Sequence, residues 1–99
     1  MVNRFRGGEG LRADLEGVLA LLAAQPGYVE GSIGRNLDEP DLWVLTTRWE
    51  SVGTYRRALS SYDLKLHGLP VLSRAIDEPS AYELVEPNAV LNVPGSRVT

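Results

Sequence analysis

At the centre of the chain stands the stretch Trp-Val-Leu-Thr-Thr-Arg-Trp-Glu-Ser-Val-Gly-Thr-Tyr-Arg-Arg-Ala-Leu-Ser-Ser-Tyr, residues 43–62, which holds both tryptophans and two of the four tyrosines. Together with Leu42, which precedes it, the first part of this stretch is an almost unbroken apolar run. This run predicts a β-strand over residues 42–49 that is covered on both faces. Ser51 predicts a helix N-cap, because its hydroxyl can accept a hydrogen bond from an amide in the first turn. The stretch therefore predicts a strand that runs directly into a helix.

The segments before this stretch alternate between strand and helix patterns. Residues 1–6 vary with a period of two and predict a first strand. After a glycine-rich turn, apolar residues recur at helical spacing, which predicts a helix from Leu11 to about Ala24 that ends before a Pro-Gly pair. Residues 28–36 return to a period of two, and their glycines indicate a bulge or the close approach of another backbone. Residues 28–49 therefore predict a hairpin.

The segments after the stretch predict a short further helix and a last strand. Gly68 suits a helix C-cap, Pro70 suits the first turn of the helix that follows, and residues 80–85 predict a fourth strand. The order βαββαβ is the ferredoxin-like arrangement, an α+β fold with a four-stranded antiparallel sheet. Helices cover one face of this sheet, and the sheet of a second copy, in an isologous dimer, is the simplest cover for the other. We expect one domain over residues 1–86 and a tail over residues 87–99 that frays or lies along a partner subunit as a dimer arm.

Composition limits the classes of function. The chain has 99 residues and a formal net charge of −3, and its ten Lys and Arg residues are scattered, which argues against binding to nucleic acid or an anionic membrane. No apolar run is long enough for a membrane span or a signal segment, so the cytoplasm is the expected location. The chain has no cysteine, which excludes thiolate chemistry, and one histidine, which excludes a multi-histidine metal site within one chain. It also lacks the glycine-rich motifs that bind the phosphates of nucleotide cofactors. We expect a small, weakly polar ligand, no cofactor and no metal.

One face of the predicted central strand carries candidates for a binding site. By alternation Leu45, Thr47 and Trp49 share that face, and Tyr55 lies on the helix that should fold over it. Flat aromatic walls with one phenolic hydroxyl suit a planar aromatic ligand, held by stacking and by a hydrogen bond. The alternative interpretation is that these aromatic residues belong to the core where sheet and helix meet.

Other polar residues could complete such a site. A site that ionises such a ligand requires a group that favours the anionic form and a pocket that excludes water. Tyr55 and Asn3 could donate to the oxyanion, and His67 could accept a proton. Arg35 could contact a ligand or a partner subunit. Each of these residues also has an interpretation without a site. His67 could be a surface residue at the end of a helix, and Arg35 could be solvated. Tyr28, which follows the Pro-Gly pair, is interpreted as a packing residue and not as a site residue.

Five segments spread over residues 1–86 also resemble a known family. They are Val2-Asn3-Arg4-Phe5, Gln25-Pro26-Gly27-Tyr28-Val29-Glu30-Gly31, Thr47-Arg48-Trp49-Glu50-Ser51, Tyr55-Arg56-Arg57-Ala58-Leu59 and Asp77-Glu78-Pro79-Ser80-Ala81-Tyr82-Glu83. In these segments the chain is similar to the antibiotic biosynthesis monooxygenase domain, a family of small dimeric α/β barrels. The resemblance implies that fold and a homodimer. It does not fix one activity, because the family includes oxygenases, haem-degrading enzymes, decarboxylases and members without a known activity.

The resemblance to the aromatic-polyketide oxygenases of this family implies a particular site. In those enzymes a Trp at the end of strand 3 and a Tyr six residues later line the substrate cavity, and Trp49 and Tyr55 match that pair. The same enzymes use an Asn four residues before the Trp and an Arg further along, and those places hold Leu45 and Leu69 here. We therefore expect a cofactor-independent monooxygenase that acts on a small planar phenol, anthrone or quinol. The catalytic candidates are Tyr55, Trp49, Asn3 and His67, and the substrate-binding candidates are Leu45, Thr47, Arg35 and Leu69.

Two other functions stay open. The apolar residues at the places of the Asn and the Arg favour a non-catalytic dimer that binds a small ligand. A haem-degrading monooxygenase comes third, since that branch uses an Asn on strand 1, a Trp on the second helix and a downstream His. Asn3 matches the first of these, whereas Ala58 and Gly68 stand at the other two places, with His67 beside the latter. The missing Trp counts against haem degradation.

Overall fold

The computed structural model describes residues 1–88, 90 and 91. Its regular elements are, in chain order, β1 (Val2–Arg6), α1 (Leu11–Ala23), β2 (Tyr28–Arg35), β3 (Leu42–Trp49), α2 (Val52–Leu59), a π-helical segment (Leu64–Gly68) and α3 (Leu69–Leu72). The strands form an antiparallel sheet in the order β1-β3-β2. The predicted α+β ferredoxin-like fold is confirmed, and the first four elements begin and end within one residue of the predicted bounds.

The hydrophobic core lies between α1 and one face of the sheet. The apolar residues at helical spacing on α1 turn inward, as predicted; the buried ones are Leu11, Leu15, Val18 and Leu22. Phe5 of β1 and Trp43 and Leu45 of β3 meet them from the sheet, and Leu64 of the π-helical segment completes the cluster. Each large apolar side chain that is fully buried contributes about 1.5–3 kcal/mol to folding, so this cluster fixes the position of α1 on the sheet.

The other side of the sheet, which we call the open face, carries no helix in the described part of the chain. Its residues are Val2, Arg4, Arg6, Glu30, Ser32, Gly34, Leu42, Val44, Thr46 and Arg48. Val44 and Thr46 are half-buried and Arg48 is exposed. The prediction that β3 is covered on both faces is therefore confirmed only on the side of the helices in this single chain.

A β-bulge at the start of β2 moves Tyr28 to the covered face. Tyr28 lies opposite Trp49, and Glu30 lies opposite the residue before it, so Val29 is the extra residue. An extra residue reverses the alternation on its far side. Val29 is consequently 45% exposed. Strict alternation along residues 28–36 would predict Val29 on the same face as Ile33, and this prediction is wrong. The predicted bulge is present, but it lies ahead of the glycines.

The helical region after α2 differs from the prediction at one glycine. Gly68 does not end a helix with a left-handed residue, because its φ is −91° and the chain continues from the π-helical segment into α3. An added Cβ at Gly68 would lie 2.6 Å from Cδ1 of Leu64. The glycine is thus explained by close packing inside this region and not by a turn. Proline in the first turn of α3 agrees with the prediction.

The predicted fourth strand is not formed in the described part of the single chain, where the sheet has three strands. The chain does reach the free edge of β1: the amide of Ile76 donates to the carbonyl of Arg4 at 2.8 Å, and the amide of Val2 donates to the carbonyl of Ser80 at 2.7 Å. These contacts run antiparallel to β1, which begins at Val2. At Ser80 the segment reaches Val2, where β1 begins, so the residues that follow Ser80 lie beyond the edge of β1.

The tail predicted over residues 87–99 lies mostly outside the described residues. Just before it, Tyr82, Leu84 and Val85 are exposed. No helix within residues 1–88 is long and apolar enough to cross a membrane. The four-stranded sheet and the dimer arm stay predictions.

Candidate functional site

A cavity lies at the carboxyl end of β3, and we call it the larger cavity because a second cavity, near Arg35, is smaller. Its volume is about 980 Å³, at the upper end of the range usual for small-molecule sites. Residues from the start of β1, from β2, from the end of β3, from the first turns of α2 and from residues 81–84 line it. These residues belong to both faces of the sheet, so the cavity reaches from the covered face to the open face.

Three aromatic side chains, which we call the aromatic cluster, stand on the covered side of this cavity. Trp49 lies between Tyr28, at 5.6 Å between ring centroids with planes 84° apart, and Tyr55, at 6.2 Å with planes 55° apart. Both distances are in the range of favourable aromatic pairs. Trp49 and Tyr55 line the cavity, and Tyr28 supports the indole edge-on from behind. The predicted Trp49–Tyr55 pair is therefore brought together in space.

Backbone geometry at two turns brings the cluster together. Gly27 has a φ of +87°, in the left-handed region that favours glycine, and an added Cβ there would overlap Thr54. Ser51 and Thr54 form a capping box: the Ser51 hydroxyl accepts from the Thr54 amide at 3.1 Å, and the Thr54 hydroxyl accepts from the Ser51 amide at 3.3 Å. The predicted N-cap is confirmed. Because α2 begins directly after β3, Tyr55 in its first turns reaches the cluster.

Gly31 allows the cluster to pack closely against the sheet. An added Cβ would lie 2.7 Å from Leu19, 2.8 Å from the hydroxyl oxygen of Tyr28 and 2.9 Å from the carbonyl oxygen of Thr46. No side chain fits this space without displacing its neighbours. The close approach that the glycines of β2 indicated is present here, and its consequence is the position of Tyr28.

The indole N–H of Trp49 is already hydrogen-bonded. It donates to the hydroxyl oxygen of Thr47 at 2.8 Å, and Thr47 is only 5% exposed. The Thr47 backbone is held as well, since its amide donates to the Met1 carbonyl at 2.9 Å and its carbonyl accepts from the Met1 amino group at 2.8 Å. Burial lowers the pKa of that amino group. The hydroxyl of Tyr55, by contrast, makes no hydrogen bond within the described residues.

The part of the cavity on the open face is polar. Arg48 pairs with Glu30 at 3.2 Å, and the hydroxyls of Ser32 and Thr46 are 2.9 Å apart. Within residues 1–88 no group of three or more His, Cys, Asp or Glu side chains is arranged to hold a metal ion. The cavity thus joins an aromatic wall to a polar wall, an arrangement that suits a planar ring carrying polar substituents.

Asn3 lies near this region without lining the cavity. It is half-buried on the covered face of β1, opposite Leu45, and its Oδ1 is buried with no hydrogen-bond partner among the described residues. A buried acceptor without a donor costs about 1–3 kcal/mol. This unsatisfied oxygen keeps Asn3 a site candidate on structural grounds, apart from any resemblance.

The structure does not bring the other candidates to the cavity. Leu45 is completely buried in the core, and the side chains of His67 and Leu69 are exposed and line neither cavity. Arg35 lies at the opposite end of the sheet, 5.5 Å from the ring centroid of Trp43. There it borders the smaller cavity, whose volume is about 440 Å³.

Tyr28 and residues 81–84 belong to the site region, although the sequence did not indicate a site role for them. Tyr28 reaches the cluster because of the bulge after it, and the Pro-Gly turn and nearby Gly31 are the signals that could have suggested it. Residues 81–84 join through tertiary contact, for which we find no local signal in the sequence.

The chain matches a known protein family over more than half of its length. A family model described as antibiotic biosynthesis monooxygenase matches residues 5–66, which include β3 and α2. Among curated proteins no significant match is found.

Solved structures are similar to this chain over most of its length. A variant of SnoaB, a cofactor-independent oxygenase from Streptomyces nogalater, is 25% identical with a TM-score of 0.68, covering 91% of this chain and 92% of that chain. A second SnoaB structure is 24% identical with a TM-score of 0.68, covering 87% of this chain and 94% of that one. Rv0793 from Mycobacterium tuberculosis is 18% identical with a TM-score of 0.64, covering 89% of this chain and 95% of that one, and supports the fold alone.

Proposed function

The chain belongs to the antibiotic biosynthesis monooxygenase family, and from that premise we propose that it is a cofactor-independent monooxygenase of small planar phenols, anthrones or quinols. The observation that carries the proposal is the Trp49–Tyr55 pair, 6.2 Å between ring centroids, at the wall of the larger cavity. Similarity to SnoaB, a cofactor-independent oxygenase, supports a reaction without a cofactor. We also propose that the chain works as a homodimer.

The proposed reaction is the oxidation of an anthrone to an anthraquinone. The methylene carbon loses a proton, and the carbanion that results shares its negative charge with the carbonyl oxygen across the ring. This carbanion adds O₂ and takes up a proton from solvent, which replaces the proton first released there and gives a hydroperoxide. One oxygen atom stays on the carbon as the new carbonyl, and the other leaves as water with the hydrogen that remained on that carbon. Trp49 stacks on the ring, and the Tyr55 hydroxyl donates to the oxygen that carries the charge, which favours the anion.

Oxygen uptake with anthrone as substrate tests the proposal. We expect the protein to consume one O₂ per anthrone, and we expect Tyr55→Phe to lower kcat roughly 100-fold, because one positioned donor to an oxyanion contributes a factor of about 10²–10³. Tyr62→Phe is the matched control, since Tyr62 is 75% exposed and loses the same hydroxyl without effect. Uptake no faster than autoxidation, or equal rates in the protein and Tyr55→Phe, would overturn the proposal.

The second candidate function is that of a small-ligand-binding dimer without catalysis. Two observations favour it: Leu45 is completely buried in the core, and His67, the chain's single histidine, is exposed away from the cavity, so neither supplies a polar group or a base there. An anthrone that binds tightly under oxygen and is recovered unchanged would support this function instead. For haem degradation, the second-helix position of the Trp holds Ala58, which is 2% exposed; a haem titration without a Soret shift would remove that function.

A further inference from the structure

We infer that Thr47 is a positioning residue: it fixes the indole plane of Trp49, occupies its N–H, and so leaves Tyr55 as the hydrogen-bonding group of the aromatic wall. This role is separate from the direct contact with substrate expected of Thr47, which also borders the larger cavity. The part of the inference that concerns the ligand rests on the proposed function. The Thr47–Trp49 interaction itself is independent of any ligand.

The contact is built into the strand. Thr47 and Trp49 are two residues apart on β3, so both side chains point to the covered face. The distance of 2.8 Å from the indole nitrogen to the Thr47 hydroxyl is that of a good hydrogen bond. Threonine is branched at Cβ, which restricts its χ1 angle, and the Thr47 backbone is hydrogen-bonded on both its amide and its carbonyl. The acceptor is therefore held rigidly.

The hydrogen bond fixes the direction in which the indole nitrogen of Trp49 points, which the aromatic contacts alone do not specify. Tyr28 meets Trp49 edge-on and Tyr55 meets it at a tilt, and neither contact specifies which way the indole nitrogen points. The Thr47 hydroxyl specifies it. Thr47 is only 5% exposed, so a ligand that takes the N–H leaves a largely buried hydroxyl without its donor.

The arrangement selects a class of ligand. With its N–H occupied, Trp49 offers the ligand a π-face and apolar edges. The hydroxyl of Tyr55, which makes no hydrogen bond to the described residues, is the polar group of the aromatic cluster on the cavity wall. A planar aromatic molecule with its oxygen atoms along one edge fits this wall, because the edge can face Tyr55 while the ring stacks on Trp49. A molecule that needs a hydrogen bond from the centre of the wall does not.

Two substitutions separate the hydroxyl of Thr47 from its shape. Thr47→Val has the same shape and no acceptor, and Thr47→Ser retains the acceptor. In ¹⁵N-labelled protein we expect the Trp49 indole proton to exchange with solvent about fivefold faster in Thr47→Val and at the original rate in Thr47→Ser, since a buried hydrogen bond contributes about 1 kcal/mol. The Trp43 indole, which donates to the Gly7 carbonyl at 3.0 Å, is the internal reference and the check on folding.

A ligand readout distinguishes positioning from a purely structural role. With 1,8-dihydroxyanthraquinone, which is stable in oxygen, we expect the Kd to rise about tenfold in Thr47→Val and to be restored in Thr47→Ser. In steady-state kinetics with the anthrone, the Val variant should raise KM more than it lowers kcat.

Each outcome decides a stated part of the inference. Unchanged Trp49 exchange in Thr47→Val, with Trp43 also unchanged, overturns the inference. Faster exchange with an unchanged Kd overturns the role in ligand binding. If the unsubstituted protein binds no anthraquinone, the proposed function fails and with it the ligand class, whereas the exchange rates still decide whether Thr47 fixes the indole.

Discussion

Trp43 and Trp49 lie on the same face of β3 in different surroundings. Trp43 is 3% exposed, and its ring lies under the guanidinium of Arg35. Trp49 is half-buried and lines the larger cavity. Six residues of extended strand separate the two by about 20 Å, because a strand rises roughly 3.3 Å per residue. A ligand in the larger cavity therefore contacts one indole and leaves the other unaffected.

Fluorescence can test this difference between the two tryptophans. An anthraquinone is expected to quench the emission of Trp43→Phe, in which Trp49 is the remaining tryptophan, and to leave the emission of Trp49→Phe nearly unchanged. Titration of both variants under the same conditions measures it. Quenching that survives in Trp49→Phe and disappears in Trp43→Phe would move the ligand to the smaller cavity.

Glycine 31 offers a second test at the scale of one residue. Gly31→Ala places a Cβ within 3 Å of three groups, one of them the Tyr28 hydroxyl oxygen. We expect the free energy of unfolding in urea to fall by about 1–3 kcal/mol, the usual effect of overpacking. Gly17→Ala is the control: Gly17 is exposed on α1 with no atom within 4 Å of an added Cβ, and alanine should stabilise that helix by about 0.5–1 kcal/mol. A Gly31→Ala protein as stable as the original would contradict the packing described for Tyr28.

At the scale of elements, one ion pair joins β1 to the segment that follows α3. The Arg4 guanidinium contacts both carboxylate oxygens of Glu78, at 2.7 and 2.8 Å. The same segment donates one backbone hydrogen bond to β1 and accepts another, at Ile76 and Ser80. Hydrogen bonding to Arg4 lowers the pKa of Glu78. The pair therefore holds the beginning of the C-terminal segment against the sheet edge.

Acidification is expected to weaken this connection. Because the pKa of Glu78 is lowered in the folded state, its contribution to stability is present above the pKa of an unfolded glutamate and is lost as the pH falls through the folded value. Glu78→Gln should consequently lose less stability than the original protein between about pH 5 and pH 3, as followed by urea unfolding at each pH. Glu16→Gln is the control, since Glu16 makes no ion pair within the described residues. Parallel pH profiles for the protein and Glu78→Gln would exclude this role.

Local patterns predicted the elements well and their exceptions poorly. Strands and α1 followed from periods of two and of 3.6, since each pattern shows which side of an element is buried. The bulge at Val29 was misplaced because an inserted residue is defined by the register with β3 and not by β2 alone. Gly68 suits a C-cap by sequence alone, and the local pattern does not show that Leu64 packs against it. A fourth strand over residues 80–85 would need a neighbouring strand to pair with, and β1, the neighbour on that side, begins at Val2, opposite Ser80.

At the scale of the whole molecule, the site is assembled from adjacent and from distant segments, and only the first kind was predictable. Trp49, Tyr55 and Thr47 come together because β3 leads directly into α2. Residues 81–84 reach the cavity through tertiary contacts. Arg35 is a candidate because it shares a face of β2 with Ile33, and His67 because it is the single histidine. Neither feature gives a distance from Trp49, and neither residue lines the larger cavity.

The open face carries no helix in the described part of the chain, and a second copy is expected to cover it. Val44 lies at its centre, opposite Arg4 on β1 and Gly34 on β2, where glycine leaves room for its side chain. In an isologous dimer Val44→Lys introduces a charge from each subunit into the interface, whereas in a monomer the same lysine extends into water. We expect light scattering at micromolar concentration to find a dimer for the protein and a folded monomer for Val44→Lys.

The control for this substitution lies on the other side of the molecule. Ala20→Lys, on the exposed side of α1, should stay dimeric. A monomeric unsubstituted protein would contradict the dimer, and a dimeric Val44→Lys would move the interface away from the open face. Because the larger cavity reaches this face through Ser32 and Thr46, the monomeric variant should also bind an anthraquinone more weakly than Ala20→Lys does. Equal affinities would indicate that the covered side of the cavity binds the ligand without help from the partner.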